Sequence, residues 1–352
     1  MNLEELFRFD EANMFDILLR TPQQLREAVL LQPELPLPDA SVPLHHLVIT
    51  GMGGSAVGGD LIAGLYGDLL DLPLIVNRDY RLPQFISAHS LVIACSYSGD
   101  TEETLAAVQQ AADAGAPIVC IASAGKLAKK AVKNEWGLVR VPEGLPPRCA
   151  LGYLFFALMR ILQEYGIISV AEEDVAETIE MAERLTAELA DYKKAENRAV
   201  KLAEALKGRI AVIYAADEPN SALPLRWRNQ LNENAKAPAF SNLIPEMNHN
   251  EICMWNEAIL NPELYHVIFL MDDHNSPELK ERLEISRDLI AACRVPVTEL
   301  EPEGESRLCR TFSLVIWADF VSYYLALLNG VDPTLIKPID HLKREIANRS
   351  KE

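Results

Sequence analysis

Two short apolar runs, each ended by a loop of glycines and hydroxyls that opens a helical pattern, leave this chain few folds to adopt. The first is Leu47-Val48-Ile49-Thr50, followed by Gly51-Met52-Gly53-Gly54-Ser55. The second is Leu91-Val92-Ile93-Ala94-Cys95, followed by Ser96-Tyr97-Ser98-Gly99-Asp100-Thr101. Helical spacing resumes after each, at Ala56-Val57 with Leu61-Ile62 and at Glu102-Glu103-Thr104-Leu105. Strand–loop–helix units of this kind build a parallel α/β sheet whose loops gather at the carboxyl ends of the strands. Hydroxyls, backbone N–H groups and a helix amino terminus collected on that edge form an anion site. The two loops therefore read as a cradle for a phosphate.

The same rhythm continues on both sides of the loops. Strands are expected at 47–50, 74–77, 91–96, 118–122 and 138–141, with helical connections that include 126–135, which predicts a sheet covered by helices on both faces. Upstream, residues 3–31 have helical spacing with a break at Thr21-Pro22, and the proline-rich 33–44 reads as a stiff connector. An apolar helix over 150–165 is followed by a charged stretch, 171–205, expected to be a solvated helix or helix pair. The second half then repeats the element order: strand 209–215, helix 222–236, strand 265–271, helix 277–293, strand 295–299, helix 311–329 and a closing helix 339–348. The fold class predicted is α/β, with two doubly wound parallel-sheet domains, 1–165 and 206–352, joined by a helical segment, 166–205.

Composition narrows the function. A chain of 352 residues with 49% hydrophobic content has material for two cores, and its net charge of −18 argues against nucleic acid or an anionic membrane as the main partner. A local site for a phosphorylated substrate is compatible with that charge. The six cysteines form no CxxC pair and mostly sit in apolar runs, as reduced core residues of a cytoplasmic protein do. The acidic N-terminus does not resemble a signal peptide, and no stretch is expected to span a bilayer.

Gly51-x-Gly53-x-x-Ala56 satisfies a dinucleotide fingerprint, with Asp79 as a loose candidate for the ribose carboxylate, so an NAD-binding oxidoreductase is one alternative. A dinucleotide fold has no use for Ser96, Ser98 and Thr101 on the neighbouring strand edge. Helix capping by Ser98 or Asp100 is the other explanation of the second loop. The absence of GK[ST] removes a Walker nucleotide site. Seven histidines, with only His45-His46 adjacent and no HExxH, offer no zinc site.

Four motifs carry a family resemblance: GMGGS, SYSGDTEET, NENAK (232–236) and PEMNHNE (245–251). Together they resemble sugar isomerase (SIS) domain proteins, and more closely the bifunctional phosphoglucose/phosphomannose isomerases. That resemblance implies two SIS domains, a homodimer with its active site near the subunit interface, a hexose 6-phosphate substrate and neither cofactor nor metal. It implies a phosphate held by Ser55, Ser96, Ser98 and Thr101 with the Gly53 and Gly54 backbone. It further implies Glu233 as the base that moves a proton through a cis-enediol, Arg148 as the cation for the developing charge, and His249 and Lys343 as ring-opening residues, with His249 serving either its own or the neighbouring subunit's site. Taken from the residues alone, Glu233 could pair with Lys236 on a solvated helix face, Arg148 with Glu143, and His249 and Lys343 could be surface side chains. One departure from the family is Ile336, where a threonine is expected seven residues before Lys343; Thr334 lies two residues earlier. A non-catalytic, phosphosugar-sensing SIS module is the second alternative, although no basic helix-turn-helix segment is visible.

Overall fold

The computed structural model describes residues 3–39, 42–217, 219–256, 258 and 261–349. Among these residues ten strands fall into two sheets: β1 Pro33–Leu35, β2 His46–Gly51, β3 Leu74–Asn77, β4 Ser90–Cys95, β5 Ile118–Ala122 and β6 Gly137–Arg140 in the first, β7 Ile210–Ala216, β8 Ala239–Ile244, β9 Tyr265–Leu270 and β10 Val297–Leu300 in the second. The first sheet is ordered β1-β6-β5-β4-β2-β3 and the second β10-β9-β7-β8. All pairings are parallel except β1 with β6. The run β5-β4-β2-β3 is thus repeated, in the same order, as β10-β9-β7-β8.

Alternate residues of each central strand feed different cores, as a period of two requires. Leu47, Ile49, Leu91 and Ile93 face a large cluster with Val57, Leu61, Phe155 and Phe156, whereas Val48, Val92 and Ala94 face Val108, Ala111, Leu127 and Ala131. The large cluster extends without interruption to Ile213, Ile268 and Leu270 of the second sheet, through Leu223, Trp227, Phe312 and Phe320. Trp227 sets the rotation of helix Ala222–Glu233: its ring is wholly buried and its Nε1–H donates to Leu314 O (3.0 Å). Truncation of such a side chain costs roughly 3–5 kcal/mol.

Several expectations are corrected. Residues 33–35 of the expected connector form an edge strand, with Pro33 at its first position, where a missing N–H does no harm. Strand β8 was not expected, because only its two ends are buried and its sequence, AFSNLI, has no apolar run. The charged stretch is a helix pair, Glu172–Ala190 and Arg198–Leu206, yet it is not a solvated one: Met181, Ala182, Leu185, Leu189 and Leu202 lie in the core. Helix Arg307–Leu328 begins earlier than 311, capped by Ser306 Oγ on Cys309 N–H (3.2 Å). Its 22 residues, with mean hydropathy 1.6 in their most apolar window, are long and apolar enough to cross a membrane, contrary to the expectation for the chain; that window is fully buried here. It is a core helix, packed on helices Glu172–Ala190, Arg198–Leu206 and Ala222–Glu233. Burial pushes the thiols of Cys95, Cys120, Cys149 and Cys309 up to about 12, so they stay protonated and unreactive.

Candidate active site

Both hydroxyl loops lie where strands β2 and β4, adjacent in the sheet, end. They are joined by a hydrogen bond from Tyr97 N–H to Ser55 Oγ (3.1 Å). Ser96 Oγ accepts Gly99 N–H (3.1 Å) and lies 2.9 Å from Thr101 Oγ1. Gly99 is required by geometry: its φ is 71°, and a Cβ there would lie 1.9 Å from Ala124 O. The second loop is thereby pressed onto the next one, where Leu127 N–H donates to Gly99 O (2.8 Å).

The capping explanation of this loop is not what the structure shows. Thr101 occupies the N-cap position of helix Glu102–Asp113 without a side-chain cap bond. Asp100 turns away and accepts Lys126 N–H (3.1 Å), serving the start of helix Gly125–Asn134. Ser98 is exposed and makes only a long contact with Asp100 N–H (3.4 Å), so its hydroxyl is available to a ligand. Helix Gly54–Tyr66 also starts without a side-chain cap and has no acidic residue in its first turn. Its first N–H groups therefore present partial positive charge to the sheet edge.

Arg148 joins this edge to the second half of the molecule. It lies in a 3₁₀ turn, Pro147–Cys149, stacked on the first loop so closely that a Cβ on Gly54 would come within 3.1 Å of Arg148 Cα and Pro147 O. The guanidinium is 3% exposed and does not pair with Glu143. Its Nε–H donates to Asn234 Oδ1 (2.6 Å), and Nη2 donates to Pro333 O (2.7 Å) and Thr334 O (3.0 Å). Nη1 points toward Glu233, 3.7 Å from Oε2. The cation thus sits at the carboxyl end of helix Ala222–Glu233, where the helix dipole favours it, and not over the start of an apolar helix.

Glu233 is about a quarter exposed (27%), faces Arg148 and is not paired with Lys236. Lys236 instead folds back under a left-handed backbone (φ 53°), donating to Asn234 O (3.1 Å) and Asp332 O (2.6 Å). Burial first, and the neighbouring Arg148 second, push its ammonium down to about 8. Lys236, Asn234 and Thr334 belong to this constellation; the sequence offered Lys236 only as a partner for Glu233 and Thr334 only as the threonine near Ile336, and did not offer Asn234. Asn234 and Lys236 stand inside the NENAK motif, but their long-range partners are Arg148, 86 residues upstream of Asn234, and Ser322 and Asp332, 88 and 96 residues downstream. Thr334, whose carbonyl accepts Arg148 Nη2, has a buried Oγ1 without a partner among the described residues, and Ile336 is half-buried.

Two expected site residues are not brought in. His249 is exposed on the 3₁₀ turn Glu246–His249, which follows β8. Lys343 is exposed on the terminal helix Lys337–Arg349. Among the described residues neither makes a side-chain hydrogen bond or ion pair. Asp79, the dinucleotide candidate, spends a carboxylate oxygen on Arg81 N–H (3.3 Å), and the backbone of the Arg148 turn covers Gly54, where a pyrophosphate would have to approach.

Over 338 residues, 95% of this chain and 99% of the relative, the sequence is 37% identical to the bifunctional phosphoglucose/phosphomannose isomerase of Caldicellulosiruptor bescii. The chain belongs to that family. The Aquifex aeolicus bifunctional phosphoglucose/phosphomannose isomerase is 34% identical over 307 residues, 86% of this chain and 91% of the relative. A model of the bacterial phospho-glucose isomerase C-terminal SIS domain matches residues 195–346, which takes in Glu233, His249 and Lys343 together with helix Arg198–Leu206. Among solved structures, a hypothetical protein from Thermus thermophilus superposes with a TM-score of 0.77 at 16% identity, covering 99% of this chain and 95% of its own. A putative phosphosugar isomerase from Clostridium difficile does so with a TM-score of 0.65 at 17% identity, covering 92% and 95%. At those identities the likeness is one of fold.

Proposed function

We propose that this member of the family interconverts glucose 6-phosphate, and mannose 6-phosphate, with fructose 6-phosphate through a cis-enediol and without a metal. The observation that carries the proposal is the Arg148–Glu233 pair, 3.7 Å apart, placed directly behind the uncapped serine loops. The ester is held by the hydroxyls of Ser55, Ser96, Ser98 and Thr101 and by the backbone N–H groups of Gly53 and Gly54. Glu233 takes the proton from C2 of the open aldose. The electron pair of that bond becomes the C1–C2 double bond, and the carbonyl electrons move onto O1, facing Arg148 Nη1. Return of the proton to C1, with the O2 hydroxyl proton passing to O1 as O2 collapses to a carbonyl, gives the ketose. Delivery of the proton to either face of C2 in the reverse direction yields glucose or mannose phosphate, and the names of the relatives support the second activity.

His249 and Lys343 open and close the ring by exchanging protons with O1 and O5. Their exposure in a single protomer suits residues completed by a second one. The terminal helix and the turn before it carry exposed Leu335, Ile339 and Leu342, an apolar stripe that suits a homodimer interface. Two SIS-type units, 1–165 and 206–352 bridged by 166–205, and a cytoplasmic location complete the proposal.

A coupled assay with fructose 6-phosphate tests it, run with and without chelator on the wild type and on Glu233→Gln. Removal of the base should lower kcat by roughly 10²–10⁴-fold. A fully active Glu233→Gln would remove this residue as base, and loss of wild-type activity with chelator would remove the metal-free route. An assay that finds no isomerisation while a hexose phosphate still binds would favour the sensing module.

A further inference from the structure

Arg148 has five N–H donors, and the structure accounts for three of them. Nε–H goes to Asn234 Oδ1 and both Nη2 hydrogens to the carbonyls of Pro333 and Thr334. Only Nη1 is left to face Glu233. The direction in which this guanidinium presents its free edge is therefore decided by whatever holds Nε. That group is Asn234, fully buried at the end of helix Ala222–Glu233.

The amide is itself held in one orientation. Its Nδ2 donates to Ser322 Oγ (3.0 Å), and the Ser322 hydroxyl donates to Asp319 O (3.0 Å). With Nδ2 so engaged, Oδ1 is the atom turned toward Arg148. The backbone of the arginine is fixed from the same layer. Arg226, 1% exposed, donates from Nη2 to Arg148 O (2.8 Å) and to Asp319 Oδ1 (2.7 Å), and Gln230 Nε2 also donates to that carboxylate.

The chemistry of the acceptor matters as much as its place. A carboxylate at 234 would hold Nε–H equally well but would neutralise the guanidinium before the enediolate could. An amide oxygen fixes the same geometry and leaves the full positive charge for the reaction.

We infer that Asn234 is a positioning residue for the isomerase reaction: with Ser322 and Asp319 behind it, the amide aims the free edge of Arg148 at the developing enediolate oxygen without spending its charge. This rests on the role proposed above for Arg148. Asn234 touches no reacting atom, so its loss should act on the transition state and spare the phosphate contacts.

The test uses two inhibitors: a five-carbon aldonic acid 5-phosphate, whose carboxylate mimics the enediolate, and inorganic phosphate, which reports only the cradle. In Asn234→Leu, kcat with fructose 6-phosphate should fall about 10–100-fold, since small misplacements of a catalytic group have effects of that size. The affinity of the aldonate phosphate should fall by a similar factor, and KM and the inhibition constant of inorganic phosphate should stay within about threefold. Asn234→Asp, which keeps shape and acceptor but adds a charge, should show the same split. Ser322→Ala, which frees the amide to turn, should show it more weakly and supplies the measurement if the leucine variant does not fold. Unchanged aldonate affinity in both position-234 variants, or losses of aldonate and inorganic phosphate binding in equal proportion, would overturn the inference. Arg148→Ala separates the two levels. If it binds the aldonate as the wild type does, the role of Arg148 fails; if it loses the aldonate while the position-234 variants keep it, only the role of Asn234 fails.

Discussion

The two sheets repeat one strand order, and their carboxyl edges differ in what remains unsatisfied. After β4 in the first sheet come hydroxyls, a left-handed glycine and a helix start with no side-chain cap. After β9, the corresponding strand of the second sheet, come Met271, Asp272 and Asp273. Asp272 is closed into the protein: Oδ1 accepts Arg310 Nε (3.1 Å) and Nη2 (2.6 Å), and Oδ2 accepts Asn220 Nδ2 (2.9 Å). Arg310 also donates to Gly304 O (3.0 Å) and to Asp273. One edge leaves the Ser98 hydroxyl with only a long contact to Asp100 N–H, and the other supplies its own cation and carboxylates. On the proposed function, the same fold element is a binding site or a structural joint according to whether its polar groups find partners within the chain.

The largest effect that would sharpen this contrast comes from the closed edge. Arg310→Met leaves Asp272 buried without its cation, which costs about 3–5 kcal/mol. Denaturant unfolding should register that loss, while KM for fructose 6-phosphate, measured where the variant is folded, should change less than twofold. A rise in KM would show the second edge taking part in binding. At the open edge, Ser98→Ala should leave stability unchanged and raise KM about tenfold, the effect of one hydrogen bond to a charged group. An unchanged KM would contradict a cradle role for this hydroxyl.

The smallest effect concerns pH. Lys236 has its ammonium pushed down to about 8 in the folded protein from an ordinary value of 10.5. Between those values the unfolded chain holds a proton that the folded chain has released, so this group adds stability as pH rises through the window. The melting temperature of the wild type, compared with Lys236→Met, should therefore improve on going from about pH 7.5 to about pH 9.5. A constant difference between the two would mean that the ammonium keeps its charge throughout.

What could be read from the sequence follows from burial. Parallel strands covered on both faces give continuous apolar runs, so β2, β4, β5 and β9 were legible; β1 and β8, at sheet edges with polar or proline residues, were not. The serine loops announced themselves because backbone geometry demands glycine at Gly99 and small residues beside it. The helical spacing of Leu223, Trp227 and Leu231 marks an inward face, but it cannot tell a solvated Glu233 from one facing Arg148, since that arginine lies 85 residues upstream. The same limit hid Asn234 and Lys236, whose partners belong to the loop at 332–334 and to helix Arg307–Leu328. His249 and Lys343 had only the family motifs to recommend them.

The main-chain stacking of Gly54 on the Arg148 turn has a consequence for substrate size. On the proposed function, with no side chain between them to flex, the mooring point for the ester and the electrostatic partner of the reacting oxygen would keep a constant spacing. The protein would then carry a gauge of molecular length, and a sugar one carbon shorter, tied up at the same loops, would hold the wrong pair of carbons opposite Glu233.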